Sequence, residues 1–446
     1  MNSAKLDCLN ETTPGDLVNL NPERQFLLDH IDFAKTIVEA YGHYLKDTSR
    51  NEYLDFLSQY GAIPFGHNPD FLWDVVINHH KDRKPVFCQP LYNQEAIHLS
   101  QKLIDFCGHE MKYVTYTNSG AEAVEAALKL VRNRSQKKKV ISTTTGFHGK
   151  TFAALSATGN EDLKRQSYTD ENNHVHLEFN NVDELRAELT KGDACAVIIE
   201  IVQGEGGMHV ISQGYLSEAS KLCKQHGAYL IVDEIQTGIG RLGARLGLDL
   251  YDHVDVDIIL LAKALGGGVI PIGAMLANKR VWSESFGLNH SSTFANNSLA
   301  CSVGYAVLNH IMENEQALFA HVTKMGQIIK NNLDSLIKRY PGVYEEARGQ
   351  GLMWGLQLQA WSGEYGYFTS YLSQQGFSVP IICGYLLNRF NIITAPTFGS
   401  RNVLRVQPSL TISEEEIARF FNALENVTRL LFEQKYNVLF EYVVNK

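Results

Sequence analysis

Three short stretches carry side chains whose types and spacing could do chemistry together. DIILLAKALGGG, residues 257 to 268, ends an apolar run at Lys263 and then bares the backbone with three glycines. An ammonium among apolar side chains is unfavourable unless it is paired or neutralised, and desolvation turns it into a usable amine nucleophile. AYLIVDEIQTG repeats the plan upstream with Asp233 and Glu234. Its acids follow an apolar strand, at the end where α/β sheets build their sites. A carboxylate there calls for a cationic partner. TNSGAEAVEAALKL sets Ser119, Gly120 and Ala121 at the start of a helix whose Val124, Ala127, Leu128 and Val131 form one apolar face. The free N–H groups and positive end of such a helix suit an anion. Taken singly, each feature has an ordinary explanation: a buried ion pair, a turn acid, a serine cap.

Taken together they match the needs of pyridoxal 5′-phosphate. Lys263 would form the Schiff base with its aldehyde, Asp233 would keep the pyridine nitrogen protonated as an electron sink, and the helix start would take the phosphate. Gly120 is expected to let the phosphate approach, and the three glycines after Lys263 to let ring and lysine arm approach the backbone. Two nucleotide motifs fail on inspection. GFHGKT (146–151) has two residues between its glycines where a P-loop has four. GIGRLG (238–243) fits G-x-G-x-x-G, but the ARLGLDLYDH that follows is too short and glycine-interrupted for the required helix.

LIVDEIQTGIGRLG and LLAKALGGGVIPIGAM are long, specific motifs, and with them the chain resembles the class III (ornithine/4-aminobutyrate-type) aminotransferases of pyridoxal-phosphate fold type I, from about Leu54 to Leu410. The resemblance implies an α/β fold with a large, mostly parallel sheet domain and a smaller α+β lobe. It makes Lys263 the Schiff-base lysine and Asp233 the partner of the ring nitrogen. Gln236 falls near the phenolic oxygen, and Ser119, Gly120 and Ala121 fall on the phosphate loop. Phe147 is the aromatic stacked on the ring, and Glu200, in EIVQGEGG, lies beside the cofactor. Thr293, in SSTFANNSLA, matches a threonine that reaches the phosphate of the neighbouring subunit, which implies a homodimer with shared sites. Arg405, in LRVQPSL, matches the arginine that holds a substrate carboxylate. Glu205 matches a gate that pairs with that arginine while an ω-amine reacts. Tyr60 and Tyr92 match substrate-contacting tyrosines of ornithine-type members. Ile201 stands where the family has a proline, and Ala295-Asn296-Asn297-Ser298 where it has Gly-Gly-Asn-Pro. The implied reaction is a ping-pong transfer from an ω-amine or diamino donor to an oxo acid, 2-oxoglutarate first among the acceptors. Alternatives on the same scaffold are a decarboxylase, an epimerase or a biosynthetic enzyme with a carrier-bound substrate. A cofactor-free binding relative is the alternative from another class, and the intact Lys263 and Asp233 speak against it.

Positioning these residues requires strands and helices in alternation. From about Tyr113, KYVTYTN, KVISTTT, AVIIEIV, AYLIVDEI and DIILLA are short β-rich runs separated by helical ones, the pattern of a mostly parallel α/β sheet. Upstream, a helical piece is expected near Arg24 to Tyr41, and two short strands around Asp47–Asn51. Downstream, a long helical section runs from about Ala300 to Arg339. RGQGLMWGLQLQ and VLRVQPSLTI read as strands, and SEEEIARFFNALENVTRLLFE as an amphipathic helix opened by Ser413. The expected division is an arm and part of the small lobe over 1–84, the large cofactor-binding domain over 85–335, and the C-terminal small domain over 336–446.

The 446 residues are 44% hydrophobic and 20% charged, and the net charge of −9 speaks against a general nucleic-acid binder. Seven cysteines lack C-x-x-C spacing and read as reduced packing residues, with no zinc site or other metal. No charged-then-apolar leader opens the chain, and no run of about 18 apolar residues occurs. The expectation is a cytoplasmic enzyme.

Overall fold

In the computed structural model, residues 21–23, 28–29, 33–88, 91–165, 167–361, 367–400 and 402–444 are described. Seven strands form the central sheet, in the order Tyr113–Thr117, Gly273–Ala277, Ile258–Leu261, Tyr229–Asp233, Ala194–Glu200, Lys139–Thr143, His174–Leu177. Of these, Gly273–Ala277 alone runs antiparallel to its neighbours. The central strands Gly273–Ala277, Ile258–Leu261, Tyr229–Asp233 and Ala194–Glu200 are apolar up to the acids that end the last two, because both faces are covered. Ile141, Val197, Ile199, Val232 and Ile259 pack into one core, and Val140, Ala196, Ile198, Ile231 and Ile258 into another on the opposite face. Helix Gly120–Arg134 supplies Val124, Ala127, Leu128 and Val131 to the second of these.

A third core unites Leu54 and Phe56 with residues between Val322 and Leu439. It is built on the antiparallel strands Tyr344–Gln350, Met353–Leu358 and Val403–Val406 and on helix Glu414–Phe432. That helix opens with a capping box: Ser413 Oγ accepts from the Glu416 N–H at 3.2 Å, and Glu416 Oε2 accepts from the Ser413 N–H at 2.9 Å. The long helical section is two helices, Ser298–Glu313 and Glu315–Arg339, separated at Asn314. The second passes from the large core, against which Leu318 and Phe319 pack, to the third, which takes Val322, Met325 and Ile329. The segment before residue 85 serves both, since Phe65 and Leu72 belong to the large core.

One local expectation is corrected. Ile37–Tyr41 is a strand paired antiparallel with Tyr44–Asp47, not the end of a helix. Gly42, at φ +57°, makes the tight reversal that brings the two runs together. The preceding residues 24–27 and 30–32 lie outside the described residues. The strands flanking the turn at Asp47–Asn51 are Tyr44–Asp47 and Glu52–Asp55.

Candidate active site

Strand register brings the chemistry to one edge of the sheet. Asp233 pairs with Glu200 on one side and Leu260 on the other, and the chain from Leu260 reaches Lys263 past the strand end. On the far side of the sheet's antiparallel strand, Gly273 pairs with Thr117, so Ser119 arrives at the same edge. There a cavity of about 710 Å³ is lined by Ser119, Gly120, Ala121, Phe147, His148, Lys150, Glu200, Asp233, Ile235, Gln236, Lys263 and Val269 among others.

At the base of this cavity Asp233 Oδ2 lies 2.8 Å from His148 Nδ1, and its Oδ1 accepts the Ile235 N–H at 3.1 Å. Where the sequence called for a cationic partner, the acid thus faces a histidine. Burial opposes charge on His148, but the hydrogen bond to Asp233 and the charges of Asp233 and Glu200 outweigh it and raise its pKa. Glu200 accepts the N–H groups of Phe147 at 2.9 Å and Gly204 at 3.2 Å. Burial pushes its carboxyl up to about 7, with His148 opposing and Asp233 adding. Glu234 points elsewhere, taking the N–H groups of Gly247 and Leu248.

Among the described residues Lys263 finds no ion-pair partner, and it sits at φ +43°, in the left-handed region. Burial brings its pKa down to about 8, opposed by Glu205 and Asp233 and helped by Arg405. The N–H groups of Gly120 and Ala121, ahead of the first intrahelical bond, have no partner among the described residues. Ser119 Oγ is occupied by capping the Glu122 N–H. The site therefore joins two unpaired helix-end donors, an amine of lowered pKa, a buried acid and an aromatic face. That donor set fits pyridoxal phosphate: an anion position, a carbonyl-reactive amine and an acid for a ring nitrogen.

The glycines also have a packing role. A Cβ on Gly120 would lie 2.9 Å from Ile235 Cδ1, so its bareness serves helix–loop packing. Gly267 and Gly268 hold φ +61° and +75°, and a Cβ on them would meet Leu72 Cδ1 at 2.2 Å and Ile63 Cγ1 at 2.9 Å. They let the lysine loop pack on the N-terminal segment.

Beyond Gln236 lies a buried ion pair. Arg405 Nη2 stands 2.8 Å from Glu205 Oε1, with the arginine side chain 0% and the glutamate 7% exposed. Arg405 also donates to Gln236 Oε1 at 2.9 Å, Gln407 Oε1 at 2.8 Å and the Gly204 carbonyl at 3.1 Å. Glu205 Oε2 accepts the Phe398 N–H at 3.2 Å. The Tyr60 ring covers the guanidinium, with its centroid 5.1 Å from Cζ. Tyr60 is carried by an unusual turn: Ser58, Gln59 and Tyr60 have φ of +46°, +49° and +60°. Left-handed backbone costs about 1–2 kcal/mol per non-glycine residue.

Of the residues singled out in the sequence, Ser119, Gly120, Ala121, Phe147, Glu200, Asp233, Gln236 and Lys263 line the cavity. Tyr60, Glu205 and Arg405 adjoin it through Gln236. Tyr92 is 97% exposed, and Thr293 is exposed too; neither lines the cavity of its own chain. Ser292, next to Thr293, accepts from Asn118 Nδ2 at 2.9 Å at the cavity rim. Three residues at or behind the site escape a reading of the sequence: His148, Gln407 and Arg241, whose guanidinium donates to Ser58 Oγ in the turn that carries Tyr60. His148 follows Phe147 in GFHGKT, and that adjacency is its one signal. Gln407 sits in the arginine motif itself. Arg241 lies within GIGRLG, a stretch that fails as a nucleotide motif.

The fold and the site define a pyridoxal-phosphate-dependent aminotransferase. The chain belongs to the class-III aminotransferase family, whose model matches residues 29–428. It is 35% identical over 399 residues to the putrescine aminotransferase of Pectobacterium atrosepticum, covering 87% of this chain and 81% of that one. The ornithine aminotransferase of Toxoplasma gondii superposes with a TM-score of 0.79 at 26% identity, over 96% of this chain and 100% of the other. The acetylornithine aminotransferase of Elizabethkingia anophelis gives 0.72 at 27% identity, over 90% and 98%.

Proposed function

We propose that the enzyme takes its amino group from an ω-amine or diamino compound and passes it to an oxo acid, with 2-oxoglutarate as the natural acceptor. The buried Glu205–Arg405 pair beside Lys263 carries this reading. While paired, it neutralises the arginine and leaves a pocket that tolerates a positive or neutral amine tail. When Glu205 releases it, Arg405 offers a bidentate fork for a carboxylate. One pocket can then serve both half-reactions. The names of the similar putrescine and ornithine enzymes support a terminal amine as the donor.

Gly120 and Ala121 would hold the cofactor phosphate, Phe147 a ring face, and Asp233 the ring nitrogen, with Gln236 near the phenolic oxygen. Pyridoxal phosphate, when bound, supplies the electron sink that makes a donor C–H acidic. Lys263 would hold the cofactor through its Nζ, and the same Nζ would take a proton from the donor carbon, a role suited to an amine whose pKa is near 8. His148 holds Asp233 in place and keeps its charge compensated. Glu205 keeps the arginine covered until a carboxylate arrives.

The active unit in this reading is a cytoplasmic homodimer. Val86, Phe87, Leu91 and Phe294 form an exposed apolar surface beside Tyr92 and Thr293, with the Phe87 and Phe294 rings 5.6 Å apart. A second copy covering it would bring Tyr92 and Thr293 to a neighbouring site. Cys88, Cys107, Cys195, Cys223, Cys301 and Cys383 are free thiols, in keeping with a reducing compartment.

The test is product analysis of the holoenzyme with 2-oxoglutarate and a donor panel of putrescine, ornithine, 4-aminobutyrate, alanine and aspartate. Glutamate formation from the terminal amines is expected. Transfer from ordinary α-amino acids alone would refute the proposed donor class.

A further inference from the structure

Backbone strain persists only where the surroundings over-determine it, and it clusters at functional positions. The run Ser58-Gln59-Tyr60, followed by Gly61 at φ +82°, is three consecutive left-handed residues without a glycine among them. Two side chains hold it. Asp55 Oδ1 accepts the N–H groups of Leu57 and Ser58, each at 2.8 Å, while Oδ2 lies 2.9 Å from His67 Nε2. Arg241 donates to Ser58 Oγ at 3.3 Å, to the Leu352 carbonyl at 3.4 Å and to the Pro408 carbonyl.

Arg241 is the feature that needs a reason. Its side chain is buried, and no carboxylate lies within ion-pair distance among the described residues. Burial alone brings its pKa down to about 10. A buried cation without an anion is destabilising, and an apolar side chain could fill the same space. What a neutral residue could not do is tie Ser58 to two other segments at once, one of them starting three residues after Arg405. Directly beneath the turn, a Cβ on Gly61 would stand 2.8 Å from Gln407 Nε2, so the turn is seated on the glutamine that itself accepts from Arg405.

We infer that Arg241 and Asp55 are positioning residues for the substrate pocket: they hold the left-handed turn Ser58–Gly61 so that the Tyr60 ring stays on Arg405 and keeps the fork aligned for a carboxylate. The inference rests on the proposed use of Arg405 as the carboxylate fork. It gives the GIGRLG stretch a function in recognition, since Arg241 sits at its centre and touches neither the cavity nor the acid–lysine pair.

The experiment measures the dissociation constant of glutarate, an unreactive dicarboxylate, for the holoenzyme. It compares wild type, Arg241→Met, Tyr60→Ala and the double variant by calorimetric titration. Thermal midpoint and cofactor absorbance are recorded for each. Arg241→Met is expected to weaken glutarate binding about tenfold, and to change it less than about twofold once Tyr60 is already alanine, because both remove one coupled arrangement. Asp55→Asn, put through the same cycle, is expected to behave alike and stands in if Arg241→Met does not fold. Equal losses in both Tyr60 backgrounds would overturn the inference and leave Arg241 with a purely structural role. Absence of glutarate binding in wild type would instead overturn the carboxylate-fork reading beneath it.

Discussion

Lys263 carries the first prediction, because its burial has a sign that can be measured. Its folded pKa of about 8 lies below the ordinary 10.5. Below pH 8 the lysine is charged in both states, and the folded protein bears the full desolvation penalty. As pH rises from 8 to 10.5, the unfolded chain keeps the proton that the folded one has lost, so this group's destabilisation is relieved. The apo form of Lys263→Met should therefore melt above apo wild type at pH 7, by about 2 °C or more, with the gap closing toward pH 10. A gap that widened with pH would mean that the amine is charged and paired. For His148, loss of a charge-assisted hydrogen bond of about 1.5–3 kcal/mol predicts that His148→Asn lowers kcat roughly ten- to a hundredfold with little change in donor KM. Steady-state kinetics against the best donor decides it. Lys263 and Asp233 are legible in the sequence because each ends an apolar run, where a charge stands out. His148 is not, since a histidine among glycines in a loop gives no sign of which acid it will face across the sheet edge.

At the scale of elements, the loop after Lys263 is where backbone freedom and packing coincide. Gly267→Ala must adopt φ +61° and place a methyl 2.2 Å from Leu72 Cδ1. At Gly227, φ +63°, an added methyl would meet only Lys137 Nζ, at 3.7 Å. The first substitution should cost about 1–3 kcal/mol more than the second, which bears the left-handed penalty alone. Equal shifts in urea midpoint for the two would show that the Leu72 contact relaxes freely. Ser413→Ala, which removes half of a capping box, should cost about 1 kcal/mol. The alternation of strands and helices over the central sheet is readable from apolar runs, because a parallel sheet covered on both faces needs continuous apolar strands. Strand Ile37–Tyr41 is not, because its IVEAY pattern suits helix or strand and only the pairing through Gly42 decides. The left-handed turn under Tyr60 has no signal in SQYG beyond its final glycine.

For the whole molecule, the exposed apolar surface around Phe87 and Phe294 predicts a dimer in which that surface is covered. Sedimentation velocity should give a species of twice the chain mass, and Phe294→Asp should shift it toward monomer with loss of turnover. A fully active monomer would remove the proposed role of Thr293 and Tyr92. Those two residues illustrate what one chain cannot show. Their motifs are plain in the sequence, yet in the fold they lie exposed beside the site and not within it. The large sheet, the lysine loop and the helix start are local or pairwise consequences of sequence pattern. The Arg405–Glu205–Tyr60 assembly joins segments far apart in the chain, so spacing alone could not place it.

The central claim is tested most directly by the absorbance spectrum of the purified holoenzyme, alone and after addition of putrescine or ornithine. A visible band that is absent in Lys263→Ala and bleaches with the terminal amines is the predicted result. A wild-type protein that shows no such band after incubation with pyridoxal phosphate would contradict it.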